Sequence, residues 1–295
     1  MRDSDVNLYT FERLRDEFGP FAGSETGDGL GRAERDLLGA RYREMLRELT
    51  AIVSYQWKEH LERSALKGFL FHGGVGVGKT AMAKRLAYEL CRRFGDNGAA
   101  DRGADEVVMV LVDGSDVARG RYGDTEEKIG EIFKYARDGQ SGGHHRHDDD
   151  PKRRTIILFD DVESLFLTRN SAGAKEWHFS QNSIFFHSID DLDTAHTAVI
   201  LTTNRLDLVD EAIVDRFLSY EFAAPPVSVL EQIARDKGAQ QRLGESDLQP
   251  ILNVIQTAGA VKSVREVERM VMRAYVNKLL KVDERPAHSK NKSSP

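Results

Sequence analysis

The chain has 295 residues and carries 42 Lys+Arg against 48 Asp+Glu, a formal charge of −6. At 40% hydrophobic and 31% charged, with 7 prolines, it can bury a sizeable core, and its mild acidic excess argues against nucleic-acid binding over the whole surface, which needs clustered Lys and Arg. A single cysteine, Cys91, excludes an internal disulfide framework and a cysteine zinc finger; no apolar run approaches the roughly 18 residues that span a bilayer, and the polar N-terminus lacks an apolar signal core, so the expected location is the cytoplasm, with no membrane partner.

Residues 1–62 read as a helical, partly disordered lead-in. Within them 22–31 is Gly-rich and polar, and 38–61 is a helix whose apolar stripe reads as packing. Five short apolar runs follow, at 68–72, 107–113, 155–160, 197–203 and 218–222. The middle three are continuously apolar, as expected for parallel strands covered on both faces. Amphipathic helices lie between them; Ile129, Ile132, Phe133 and Ala136 share one helical face behind a capping box of Asp124 and Glu127. The alternation predicts an α/β fold over 63–224, an αβα sandwich around a five-stranded parallel sheet. Ala223-Ala224-Pro225-Pro226 marks a boundary. Beyond it, 225–282 reads as a small helical domain: a capping box of Ser228 and Glu231 precedes a short helix, Asp247 (or Ser246) starts another with Pro250 in its first turn and Gly259 past its end, and a third runs over 263–280. The stretch 139–151 is a low-complexity insertion and 283–295 a polar tail. His144, His145 and His147 lie in that insertion without the fixed geometry a metal site needs, so they read as solvated loop.

The chemistry concentrates at Gly73-Gly74-Val75-Gly76-Val77-Gly78-Lys79-Thr80, a G-x-x-x-x-G-K-[ST] motif between a strand-like and a helix-like segment. Glycines let backbone N–H groups turn inward around phosphate oxygens at the positive end of a helix. The binding set is Gly74, Val75, Gly76, Val77, Gly78, Lys79, Thr80 and Ala81; Lys79 is expected on the β/γ-phosphates and Thr80 on Mg²⁺. The buried run 156–159 ends in two carboxylates, of which Asp160 is expected in the Mg²⁺ shell and Asp161 beside the attacking water. Asn204 follows the fourth strand, and Arg216 precedes the fifth.

In this order the motifs resemble the AAA+ ATPases of the classical branch, over residues 67–280. KGFLFHGGVGVGKT is similar to Walker A, IILFDDVESLF to Walker B, ILTTN to sensor 1 and DEAIVDRF to the arginine-finger segment. The resemblance implies a helical lid and ATP bound between adjacent subunits of a ring, a hexamer in most such proteins. Asn204 then contacts the γ-phosphate or its water, and Arg216 completes the neighbour's site in trans. DVESLFLTRNSAG and VILTTNRLDLVDEAIVDRFLSYEFAAPP further resemble the HORMA-remodelling ATPases of the pachytene-checkpoint type and their bacterial relatives. On that pattern Arg265 is either a γ-phosphate contact in the lid or a solvated helix-face arginine. The implied activity is ATP-driven remodelling of a protein partner, HORMA-like or another signalling protein. The alternative is a slowly hydrolysing, nucleotide-gated scaffold.

Two departures bear on that choice. Walker B ends Asp-Asp where the superfamily has Asp-Glu. The missing methylene withdraws the second carboxylate by about 1–1.5 Å, a misplacement that can cost on the order of a hundredfold in rate; Glu163 is nearby but is expected to start the next helix, which makes it a poor substitute base. In the central pore loop, Arg121 takes the usual aromatic place and Tyr122 follows it. Tyr122 either grips a threaded polypeptide or faces solvent in a loop that knits subunits together.

Overall fold

The structure, a computed structural model, describes residues 7–18, 40–64, 66–94, 106–113, 124–138, 153–165, 176–257, 259, 261 and 263–283. The expected pore loop with Arg121 and Tyr122, the histidine-rich insertion and the C-terminal tail lie outside them. Along the chain run β1 (Asn7–Tyr9), α1 (Phe11–Phe18), α2 (Ala40–Lys58), β2 (Gly68–Gly73), α3 (Lys79–Phe94), β3 (Glu106–Asp113), α4 (Asp124–Asp138), β4 (Arg153–Asp160), α5 (Glu176–Asp190), β5 (Thr197–Thr203), α6 (Glu211–Arg216) and β6 (Leu218–Phe222). Three more helices follow, α7 (Val227–Gln240), α8 (Glu245–Gln256) and α9 (Val264–Asp283). The chain divides into two units, the first of residues 1–74 and 78–222, the second of residues 75–77 and 223–295.

In the first unit the sheet order is β1-β3-β4-β5-β2-β6. All neighbours except β1 pair in parallel, so the five expected strands form the mixed α/β layer read from the alternating pattern. Their continuous apolar character reflects burial on both faces: Ile156–Phe159 and Val199–Leu201 are fully buried. One face is covered by Ile129, Ile132 and Phe133 of α4 together with Phe185 and Ile189 of α5. Phe159 meets Phe133 at 6.0 Å and Phe185 edge-on at 5.5 Å between ring centroids, separations at which aromatic pairs add to area burial. Helix α2 buries Met45, Leu46, Leu49, Val53 and Trp57, the stripe expected to be packing.

The sixth strand is a difference from the sequence reading. β1 pairs antiparallel with the outer edge of β3, Leu8 opposite Val110. Three residues are too short for a period-2 signal to register, and what holds the segment is tertiary. Leu14 of α1 is fully buried where α1 packs on α3. The Arg13 guanidinium lies 3.7 Å from the Tyr9 ring centroid, with the Lys84 ammonium at 4.7 Å. The segment also covers a sheet edge whose unpaired backbone groups would otherwise template association.

The second unit buries Leu230, Ile233, Leu248, Ile251, Leu252, Ile255, Val267 and Val271 among its three helices. Two starts differ from the expected ones. Pro226, with φ −61°, leads directly into α7, which begins at Val227 with no side-chain cap. The Asp247 carboxylate accepts the Gly244 N–H at 3.0 Å, which starts α8 at Glu245 and leaves Pro250 inside the helix. Among the described residues no helix is long and apolar enough to cross a membrane.

Truncating Leu14 to alanine is expected to destabilise the first unit by about 2–5 kcal/mol, the range for emptying a buried leucine site, read by chemical denaturation. Cys91 is 1% exposed, its thiol donates to the Val107 carbonyl at 3.4 Å, and burial pushes its pKa up to about 12. Thiol reagents at mildly alkaline pH should therefore label the native protein no faster than it opens, and label it immediately in denaturant.

Candidate active site at the carboxyl edge of the sheet

Parallel strands present all their carboxyl ends on one edge, and in open α/β sheets that edge is where ligands bind. Here β5 lies between β4 and β2. The glycine loop after β2, Asp160 at the tip of β4 and Asn204 after β5 are therefore neighbours in space despite their distance in sequence.

The loop needs glycine at positions where a side chain cannot go. Gly73 has φ +145°, and a Cβ there would stand 2.2 Å from the Phe222 carbonyl oxygen; Gly78 has φ +101°. Lys79 and Thr80 are the first residues of α3, and the start of a helix, with its N–H groups and the positive end of its dipole, favours anions. The Lys79 ammonium, on a residue only 6% exposed, donates to the carbonyls of Gly73 (3.0 Å) and Gly74 (2.8 Å) and to Asn204 Oδ1 (2.7 Å). These three acceptors match its three donors.

Asp160 collects hydroxyls from two sides. Thr80 Oγ1 donates to its carboxylate at 2.9 and 3.1 Å, and the buried Thr202 hydroxyl donates to Oδ1. Thr202 Oγ1 in turn accepts the Asp161 N–H at 3.1 Å. In the sequence Thr202 stands in the Thr202-Thr203-Asn204 run, whose expected role falls on Asn204; the signal for Thr202 itself is a hydroxyl in an otherwise apolar buried strand, which must find a partner. A hydroxyl and a carboxylate within 3.1 Å are the hard oxygen donors that suit Mg²⁺, an ion that keeps the rest of its shell for phosphate and water. Among the described residues no group of three His, Cys, Asp or Glu would hold a metal unaided.

Asp161 has left-handed backbone angles, φ 54° and ψ 54°, a conformation Asp tolerates better than most residues. Its Oδ1 accepts Asn204 Nδ2 at 2.8 Å. Burial raises the Asp161 pKa above its ordinary value, and the charges of Asp160 and Glu163 push the same way, against Lys79 and the Asn204 bond. Glu163 Oε1 accepts both the Asn204 N–H and Asn204 Nδ2, each at 3.2 Å. The structure thus brings Lys79, Thr80, Asp160, Asp161 and Asn204 into one hydrogen-bonded cluster.

Arg216 stands apart from that cluster. It ends α6, and its guanidinium donates to Asp190 at 3.0 and 3.4 Å and to the Ala212 carbonyl at 3.0 Å, 4.7 Å from the Phe186 ring centroid. Asp190, unremarked in the sequence, has its pKa lowered chiefly by the hydrogen bond from Arg216. In the second unit, Val264 N–H donates to the Gly76 carbonyl at 3.1 Å. A Cβ on Gly76 would stand 3.0 Å from that of Arg265, whose side chain is exposed. Val75 and Ala81 are also exposed and Val77 is buried.

Several known proteins are similar to this chain. An "AAA ATPase forming ring-shaped complexes" of Corynebacterium efficiens is 33% identical over 148 residues, 50% of this chain and 25% of that protein. A "Proteasome-associated ATPase" of Jonesia denitrificans is 28% identical over 158 residues, 53% of this chain and 27% of that protein. The chain therefore spans about a quarter of the length of these relatives. Among solved structures, a chain of the E. coli MS115-1 HORMA:CdnC:Trip13 complex superposes with a TM-score of 0.56 at 16% identity, covering 81% of this chain and 90% of that one. The FIGL-1 AAA domain in complex with ADP superposes at 0.59 and 19% identity, covering 84% and 74%. At such identities the likeness establishes the fold alone. The family model of ATPases associated with various cellular activities (AAA) matches residues 69–223, just over half of the sequence, and the chain belongs to that family.

Proposed function

We propose that this chain hydrolyses ATP as a subunit of a ring, a hexamer by family habit, and uses the cycle to remodel a protein partner. In this reading 63–224 is the ATPase domain and 225–282 its lid. The observation that carries it is the single cluster of Lys79, Thr80, Asp160, Asp161 and Asn204 at the carboxyl edge of β2, β4 and β5. The backbone of Gly74–Gly78 and Ala81 cradles the phosphates, and Lys79 pairs with the β/γ-phosphates. Thr80 and Asp160 would hold Mg²⁺, which would supply positive charge to offset that of the phosphates. Asp161 orients the attacking water, and Asn204 hydrogen-bonds that water or the γ-phosphate.

Arg216 acts on the neighbouring subunit's nucleotide. To do so it exchanges Asp190 for phosphate. A surface ion pair contributes about 0–1 kcal/mol, so the exchange costs little. Arg265 is assigned to the γ-phosphate from the lid, and Arg121 and Tyr122 to the partner polypeptide in the pore. The HORMA-containing complex among the fold neighbours supports a HORMA-like or other signalling protein as the partner class.

A second reading has its own observation. The short Asp161 carboxylate, set on a left-handed backbone, favours slow hydrolysis by a scaffold that ATP mainly assembles.

Steady-state ATPase activity should climb steeply with protein concentration. Arg216→Ala should lower turnover on the order of a thousandfold, as loss of an arginine finger does, while ATP binding by the variant persists. Lys79→Ala should abolish binding itself. A rate per subunit independent of concentration would sink the shared-site reading. For Asp161→Glu the motor reading expects turnover at or below wild type. A rise towards the on the order of a hundredfold that such a shortfall costs would favour the scaffold.

A further inference from the structure

Immediately after Asp161 the chain makes one tight turn, Val162–Ser164, with Val162 and Leu165 fully buried. That anchorage brings Glu163 beside the end of β5 and away from the outer surface. One carboxylate oxygen then serves a single residue twice, accepting the backbone N–H and the side-chain Nδ2 of Asn204 at 3.2 Å each. The other, Oε2, is buried without a hydrogen-bond partner among the described residues. A buried orphan carboxylate oxygen is costly, and a residue that carries such a cost at a site is more readily explained by what it does there than by stability.

The surroundings of the Asn204 amide define that job. Its Oδ1 faces the Lys79 ammonium at 2.7 Å, while Nδ2 faces Asp161 at 2.8 Å and Glu163 at 3.2 Å. Rotating the amide by half a turn would set NH₂ against ammonium and a carbonyl oxygen against two carboxylates. Donor would meet donor and acceptor would meet acceptor. Asp161 is exposed and holds only the side chain; Glu163 also holds the backbone.

We propose that Glu163 is a positioning residue for nucleotide hydrolysis, fixing the Asn204 amide so that its oxygen is turned to Lys79 and its nitrogen to Asp161. Glu163 acts through Asn204 and touches no substrate. The proposal rests on the ATPase reading above but makes a separate claim about the chain itself.

Two experiments test it. Without nucleotide, the melting-temperature losses of Glu163→Ala and Asn204→Ala should be non-additive, the double variant losing less than the sum of the two singles, because both remove the bond from Asn204 Nδ2 to Glu163, while the backbone N–H bond is lost only with Glu163. In steady-state kinetics, Glu163→Ala should lower kcat about 10–100-fold with KM for ATP changed less than about threefold, the signature of an interaction used in the transition state. Glu163→Gln keeps a carbonyl oxygen for both Asn204 donors and should recover kcat to within about fivefold of wild type, since the acceptor and not the charge is required; it carries the same decision should the alanine variant not fold. Additive melting shifts, an unchanged kcat in Glu163→Ala, or a Gln variant as slow as the Ala variant would each overturn the proposal, the last by showing that the charge itself is used. Should the wild type hydrolyse no ATP, the ATPase reading fails while the melting cycle still decides whether Glu163 orients Asn204.

Discussion

Asp160 is the point at which separate stretches of chain are tied together. Its carboxylate accepts the Thr80 hydroxyl from the start of α3 and the Thr202 hydroxyl from β5, and Thr202 also accepts the Asp161 N–H. These bonds join the glycine loop, the tip of β4 and the tip of β5. The network sits at the end of strands that carry no exposed residues, where a charge-assisted hydrogen bond is stronger than at the surface and an unpaired group costs more. Every other site group takes its place from this junction: Lys79 precedes Thr80, Asp161 follows Asp160, and Asn204 lies two residues beyond Thr202.

The sheet is what makes such a junction possible. Parallel strands need crossovers, and the crossovers here are α3, α4 and α5, whose apolar faces close over β4 and β5. The stabilisation comes from burying continuous apolar strands and aromatic contacts such as Phe133–Phe159–Phe185. The polar groups at the carboxyl edge are then held on a rigid support. That support allows Asp161 its left-handed backbone and Glu163 a carboxylate oxygen buried without a partner among the described residues, neither of which the local chain would adopt for its own stability.

The two cationic groups expected around a nucleotide are held differently. Lys79 is buried and folded onto its own loop and Asn204, so its position is set by the junction. Arg216 is tied to Asp190 and lies near the Phe186 ring at the end of α6, a partly exposed pair of small energy. On the proposed reading, the group that serves its own subunit is anchored by burial, and the one assigned to a neighbour is held only by a surface pair of small energy.

Much of this was legible along the chain. The continuous apolar runs, the amphipathic faces of α3 and α4 and the Gly-Lys-Thr loop between a strand and a helix determined the α/β layer, the five parallel strands and the place of the glycine loop, because periodicity and glycine placement are local properties. Thr202, Glu163 and Asp190 were invisible as partners, since a threonine, a glutamate or an aspartate carries no sequence signal for which distant group it will meet. β1 was invisible for a related reason: three residues have no period, and Leu14 finds its burial only once α3 and β3 are in place. The sequence by itself determined the five parallel strands, the helices between them and the residue types they bring to one edge. Only the tertiary structure decided that β5 lies between β4 and β2, and that order, set by the packing of crossover helices on a twisted sheet, is what brings Thr202 to Asp160 and Glu163 to Asn204.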